Sequence, residues 1–420
     1  MLNKKNYLLI LFLSGMAAVA CAEPEMPASV HNEIQVLRRT VDEFRATLEE
    51  QAQVIRLQGE QIRRLTRQTE AVLPVASAAA APSVSKWTPE IGIIGDMVAK
   101  FDSPKEDEEG ADRLSVRELE LVFGSAVDPY SRFDSTISFS DFEDSSLEEA
   151  YLTHFALPWE MTGRFGKMKP RIGKALSVHR DSLETVDEPL VIQRYFGVEG
   201  YNKAGADFTR GFDLNWPLPQ EITFGVLEGG NGEEGTLFGE SRRRPTVYSH
   251  LETFADISDL TGFEFGVSHL SGSKDEDPSL ETQVIGLDAT LNHSLNSVQK
   301  LKLQSEFFYV YRQESNLDPD ESTDLRINDT PWGFYALADF KFAPQWSAGF
   351  RYDMVELIDS PIGDPDDTDT GYTGYVTFYQ SEFARWRAQF TFLDKSDDTH
   401  DSQVLLQGTF AIGEHKHKIN

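Results

Sequence analysis

From Trp87 to Asn420 the chain repeats one pattern: about ten residues in which apolar and polar positions alternate, then a turn, then the same again. Phe383–Phe392 is the clearest copy. Ala384, Trp386, Ala388, Phe390 and Phe392 fall on one face, and Arg385, Arg387, Gln389 and Thr391 on the other. A strand turns successive side chains to opposite sides, so one face is oily and the other wet. A soluble sandwich hides its oily faces against each other; an outer-membrane barrel turns them to lipid and lines its lumen with the wet ones. Here the wet face is charged along much of its length. The pattern predicts an all-β chain, a transmembrane antiparallel β-barrel of about 16 strands.

The connections support that reading. Short turns (Asp128-Pro129, Pro217–Pro219, Ser258-Asp259, Asn296-Ser297, Ala343–Gln345) alternate with longer segments such as 102–112, 174–203, 229–245, 314–330 and 359–370. Barrels of this kind have short periplasmic turns and long outer loops, and an even strand count leaves both ends in the periplasm. Among the candidate strands are 130–142, 161–173 and 331–342.

Ahead of the barrel the periodicity changes. Lys4 and Lys5, the apolar Tyr7–Ala20 and the small residues Ala20-Cys21-Ala22 read as a signal peptide over 1–22, with Cys21 as an alternative lipid attachment point. Residues 31–72 carry heptads, with Ile34, Val41, Leu48, Ile55 and Ile62 at a and Leu37, Phe44, Gln51, Gln58 and Leu65 at d. They predict an N-terminal α-helical coiled coil in the periplasm, and a homotrimer. The Ala/Pro/Ser stretch 73–86 is a linker, interrupted by Pro74 and Pro82. The barrel occupies 87–420.

Composition narrows the function. The chain has 420 residues, one cysteine and a formal net charge of −30, which excludes an internal disulfide and disfavours nucleic acid as a partner. There is no P-loop, no dinucleotide-binding glycine pattern and no Ser-His-acid spacing, so neither an enzyme nor a cofactor is expected. The expected partners are outer-membrane lipid, lipopolysaccharide and small hydrophilic solutes, with peptidoglycan a further candidate through the coiled coil.

One segment stands apart. Residues 174–203 are long for a loop, and Leu190–Phe196 within them is apolar enough to require burial, so the segment is expected to fold into the lumen and narrow it. Charges near it become candidates for solute selection. Lys167, Lys169 and Arg171 alternate along the fifth strand and are expected to point inward as a basic ladder. His179 and Arg194 lie on the long loop, Arg385 and Arg387 on a distant strand, and Glu118 and Glu120 share a face of opposite sign. The ladder predicts anion preference. The acidic outer loops, such as Asp364–Asp369, predict the reverse. No resident metal is expected: the Asp364–Asp369 run lacks the glycine and final glutamate of a calcium loop, and His415 and His417 read as a polar tail.

Leu147–Leu152, Gly166–Gly173, Asp187–Val191 and Phe196–Gly200, following a coiled coil, resemble the outer-membrane porin superfamily that includes phosphate-selective porins O and P. TonB-independent siderophore porins are similar relatives. The resemblance implies a trimeric barrel in the bacterial outer membrane and passive diffusion of small hydrophilic solutes or ions. It places any phosphate specificity on Lys167, Lys169 and Arg171. Uptake of a siderophore or metal complex, and an envelope tether toward peptidoglycan, are the alternatives.

Overall fold

The computed structural model describes residues 89–103, 113–140, 145–198, 200–212, 218–229, 236–238, 244–273, 279–316, 325–358 and 367–413. The signal peptide, heptad segment, linker, most of the acidic outer loops and the His415/His417 tail lie outside these residues.

Alternation becomes strands throughout. In chain order they are β1 (Glu90–Ser103), β2 (Arg113–Asp128), β3 (Ser131–Phe139), β4 (Ser146–Leu157) and β5 (Met161–Met168), then β6 (Lys203–Phe212), β7 (Gln220–Leu227) and β8 (Thr246–Ser258). There follow β9 (Thr261–Gly272), β10 (Thr282–Ser294), β11 (Lys300–Asn316), β12 (Leu325–Asp329) and β13 (Trp332–Ala343). The series ends with β14 (Trp346–Glu356), β15 (Thr368–Ser381), β16 (Ala384–Asp394) and β17 (His400–Gly413). Every pairing is antiparallel, and β17 pairs with β1 from Gly92↔Gly413 to Ser103↔Ser402, which closes the sheet. Closure satisfies the backbone without an edge, the condition for a strand structure in lipid.

The barrel has 16 staves although 17 segments are distinguishable, because β12 and β13 are one stave interrupted at Thr330-Pro331. β11 pairs with β13 over Lys300–Tyr309 and with β12 over Arg312–Asn316. Pro331 has no N–H to give the ladder, and its carbonyl instead accepts from Val310 N at 2.9 Å.

The two faces sort as the alternation requires. Tyr372, Val376, Trp386, Phe390 and Leu406 are exposed, whereas Thr373, Thr377, Arg387, Gln389 and Gln407 between them are buried in the barrel interior. Near the long-loop rim an outer row of rings runs Phe307, Trp332, Phe334, Tyr352, Tyr372, Phe392, with successive centroids 5.3–6.5 Å apart. Toward the short-turn rim Trp346 lies over Phe378 at 4.7 Å. An aromatic row at one rim and an aromatic pair toward the other are placed as interfacial girdles are in membrane barrels. No helix among the described residues is long and apolar enough to cross a membrane.

Bulges in β2 and β4 interrupt the alternation. Asp96 pairs with Glu118 and Met97 with Val116, leaving Arg117 extra; Thr136 pairs with Glu149 and Ile137 with Leu147, leaving Glu148 extra. A bulge adds one residue to its strand and re-aims side chains. Both Arg117 and Glu118, and both Glu148 and Glu149, consequently face inward.

Candidate functional site: the segment between β5 and β6

β5 and β6 are hydrogen-bonded neighbours, with Met168 opposite Lys203, yet 34 residues separate them in sequence (169–202). Pro170 prevents continuation of the ladder, and Gly173 turns the chain at φ +58°. A Cβ at 173 would meet Glu306 Oε2, so a larger residue would have to displace that buried carboxylate. The apolar run Leu190–Phe196 forms a short helix, α1, opened by Pro189 and stopped by Gly197 at φ +103°. It buries Leu190, Val191, Ile192, Tyr195 and Phe196 and exposes Arg194.

These residues join a core inside the barrel with inward residues of β7 to β15, among them Tyr248, Phe308, Leu337 and Tyr375. Phe196 meets Phe308 edge-on at 5.4 Å. On the opposite side Val186 packs with Val98 of β1 and Leu405 of β17. The segment therefore touches inner walls on both sides.

Polar anchors repeat that geometry. Arg387 donates to the carbonyls of Thr185 (2.8 Å) and Leu183 (3.0 Å), and Arg385 donates to that of Asp181. Arg351 donates to Thr185 Oγ1 (2.6 Å), Asp187 O (2.8 Å) and Asp353 (2.7 Å), while Asp353 accepts from Leu190 N at 3.0 Å. Gln389 both donates to Asp187 and accepts from Val186 N. From β2, Arg117 donates to Val186 O at 2.7 Å. Across β8 to β11, Lys174 pairs with Glu252, Glu264 (2.9 Å) and Asp288 (3.7 Å), and Ala175 N donates to Glu306 at 2.7 Å. Lys302 pairs with Glu184, and Arg194 with Asp369 at 2.8 Å.

His179 is a further anchor. Its Nε2 lies 3.0 Å from Glu149, and its Nδ1 3.1 Å from Glu148 and 3.8 Å from Glu120. Burial alone would lower the imidazole pKa. Hydrogen bonds to Glu148 and Glu149 outweigh it and hold the value well above the ordinary histidine range. For Lys174 burial is likewise outweighed by Glu252 and Glu264, which raise the ammonium above its usual value.

Glu188 behaves oppositely. It is buried and its Oε2 has no hydrogen-bond partner. Burial raises the carboxyl above the usual range, with Lys169 offsetting only part of the effect. A raised carboxylate pKa means docking binds a proton. The docked state is therefore strongest below the unperturbed value of 4.5 and weakens as pH rises through the raised one. Glu188→Gln is expected to remove this dependence and strengthen docking at neutral pH, read as slower protease cleavage within 174–199. A wild-type cleavage rate that stays flat from acid to neutral pH would contradict the assignment.

The sequence candidates distribute unevenly. His179, Glu118 and Glu120 come together, and Arg385 and Arg387 point inward as a pair. The expected ladder of Lys167, Lys169 and Arg171 does not form. β5 ends at Met168, so Lys169 and Arg171 leave the pleat; Lys169 Nζ reaches Val178 O at 3.2 Å and Arg171 reaches Thr209 at 2.8 Å. Lys167 shares its parity with exposed Phe165, outside the barrel, and donates to Leu147 O at 2.7 Å. The inward cation of β5 is Arg164, buried against Asp207. Sequence reasoning missed Arg351, Asp353, Lys174, Asp288 and Glu306. Parity along β10, β11 and β14 marks the strand members as inward, but nothing local marks their partners.

The fold is a closed antiparallel β-barrel of the kind seen in porins. OprB of Pseudomonas putida is similar at a TM-score of 0.53 and 10% identity, over 78% of this chain and 95% of that one. OmpF of Salmonella typhi, in complex with daunomycin, gives 0.51 and 10%, over 78% and 98%. The outer-membrane channel DcaP of Acinetobacter baumannii gives 0.50 and 11%, over 77% and 96%. In sequence, an uncharacterized protein of Aquifex aeolicus (strain VF5) is 27% identical over 328 residues, 70% of this chain and 68% of that one. No family model matches.

Proposed function

We propose that this chain is an outer-membrane channel for passive diffusion of small hydrophilic solutes, with a constriction built by 169–202 and a preference for cations. The observation that carries the reading is a closed barrel whose charged inner wall holds a 34-residue segment on both sides. The cation preference rests on how the interior charges are used. Arg385 and Arg387 are spent on loop carbonyls, Arg194 on Asp369 and Lys169 on Val178. Carboxylates outnumber the cations they meet: Glu120, Glu148 and Glu149 share His179, and Glu252, Glu264 and Asp288 share Lys174. The same facts argue against phosphate selection, since Lys167, Lys169 and Arg171 share no face. A homotrimer fits the outer face of β3 to β6, where Ser131, Ser135, Ala150, Gly163 and Ala204 are small and Ser131 meets His154 at 2.8 Å. A polar pair on an outer face is better satisfied against protein than in lipid.

The test is single-channel recording of the full-length protein in planar bilayers under a salt gradient. A reversal potential of cation-selective sign, with conductance steps in triplets, is expected. An anion-selective sign would overturn the charge assignment, and well-folded protein that conducts nothing would overturn the channel.

A further inference from the structure

The geometry points to a divalent-metal site formed by His179, Glu120 and Glu148, of the borderline nitrogen/oxygen kind that zinc occupies, which staples the lumen segment to β2 and β4. One donor atom from each lies within 4.8 Å of the others. Glu148 and Glu120 stand 3.1 and 3.8 Å from His179 Nδ1. Ligands at zinc's bond lengths of roughly 2.1 Å around a tetrahedron are about 3.4 Å apart, so these spacings bracket the requirement.

Two further features are those of a built site. First, Glu120 is 2% exposed, and one of its carboxylate oxygens stands 3.8 Å from His179 Nδ1. Second, the other ring nitrogen, Nε2, is held by Glu149 at 3.0 Å, and Glu149 is itself fixed by the backbone N–H of Lys169 at 3.1 Å. A carboxylate on the far nitrogen is the usual outer-shell partner of a metal-bound histidine, setting its tautomer and ring orientation.

The bulge in β4 explains how the cluster arises. Without the extra residue at 148, Glu148 and Glu149 would face opposite sides of the sheet and only one of them could reach His179. Imidazole with carboxylates suits zinc, manganese or cobalt better than calcium or magnesium. A second cluster, His250, Glu252 and Asp288, has comparable spacing, but the Lys174 ammonium already sits among its carboxylates. It is expected to bind no metal.

The experiment is metal analysis of full-length protein in detergent, stripped with EDTA, reloaded with Zn2+ against excess Mg2+ and desalted. It does not depend on conduction, so its failure and that of the channel reading are separable. One Zn2+ per chain is expected in the wild type, in His250→Ala and in His415→Ala/His417→Ala. His179→Ala and Glu120→Gln are expected to lose it, and Glu149→Gln to keep it with affinity lowered roughly 10- to 100-fold. Heat-modifiable migration on gels verifies folding, and the isosteric Glu variants carry the test where His179→Ala does not fold. Folded wild type that retains no Zn2+, or full retention in Glu120→Gln and Glu149→Gln, would overturn the site.

Discussion

Replacing residues 169–202 with a two-residue Asn-Gly turn is expected to raise single-channel conductance several-fold and to weaken ion selectivity. The replacement is structurally permitted because Met168 and Lys203 are already paired across β5 and β6, where a tight hairpin turn can join them. The barrel ladder does not use the segment, so closure survives. What is lost is the obstruction itself and the apolar core it builds with Tyr248, Phe308, Leu337 and Tyr375. Those residues then face water, so the variant is also expected to unfold at lower temperature, in keeping with about 25 cal/mol per Å² of apolar surface exposed. Bilayer recording and thermal gel shift measure the two effects separately. Conductance equal to the wild type's would show that 169–202 does not lie in the solute path.

Arg351→Met is expected to be the most damaging single substitution. Arg351 and Asp353 are 2% and 0% exposed and pair at 2.7 Å, and both hold the lumen segment, through Thr185, Asp187 and Leu190. Removing one member of a buried pair leaves the other charge uncompensated, at a cost of roughly 3–5 kcal/mol. The cost falls on docking rather than on the barrel, because the strand ladders at β14 are backbone bonds that methionine preserves. Protease nicking within 174–199 should accelerate while the gel mobility of the folded barrel is kept. Arg351→Met/Asp353→Asn should recover much of the loss, since the orphaned charge is gone. A double variant as labile as the single one would mean that contacts to Thr185 and Asp187, not the ion pair, dominate.

Both expectations depend on contacts between residues far apart in the chain, and distance along the chain separates what was legible in the sequence from what was not. Alternation has a period of two residues, so it can be read within any ten-residue window. Strands β14 to β17 and their inward and outward faces follow from it directly, Arg385 and Arg387 included. The length of the β5–β6 connection and the apolar run of α1 likewise announce a segment that must be buried.

What alternation cannot carry is anything that interrupts it. β5 stops at Met168, so a ladder extrapolated through Lys167, Lys169 and Arg171 assigned the wrong face to the first and a strand to residues that have none. The bulges at Arg117 and Glu148 shift parity by one residue, and only pairing with β1 and β3 reveals them. Partners are the remaining gap: Arg387 meets the carbonyl of Leu183 across 204 residues of sequence. The chain's own pattern thus determined that a barrel forms and which side of most strands is wet. Closure of the sheet decided which wall each loop residue meets, because register around a closed barrel is a property of all its strands together.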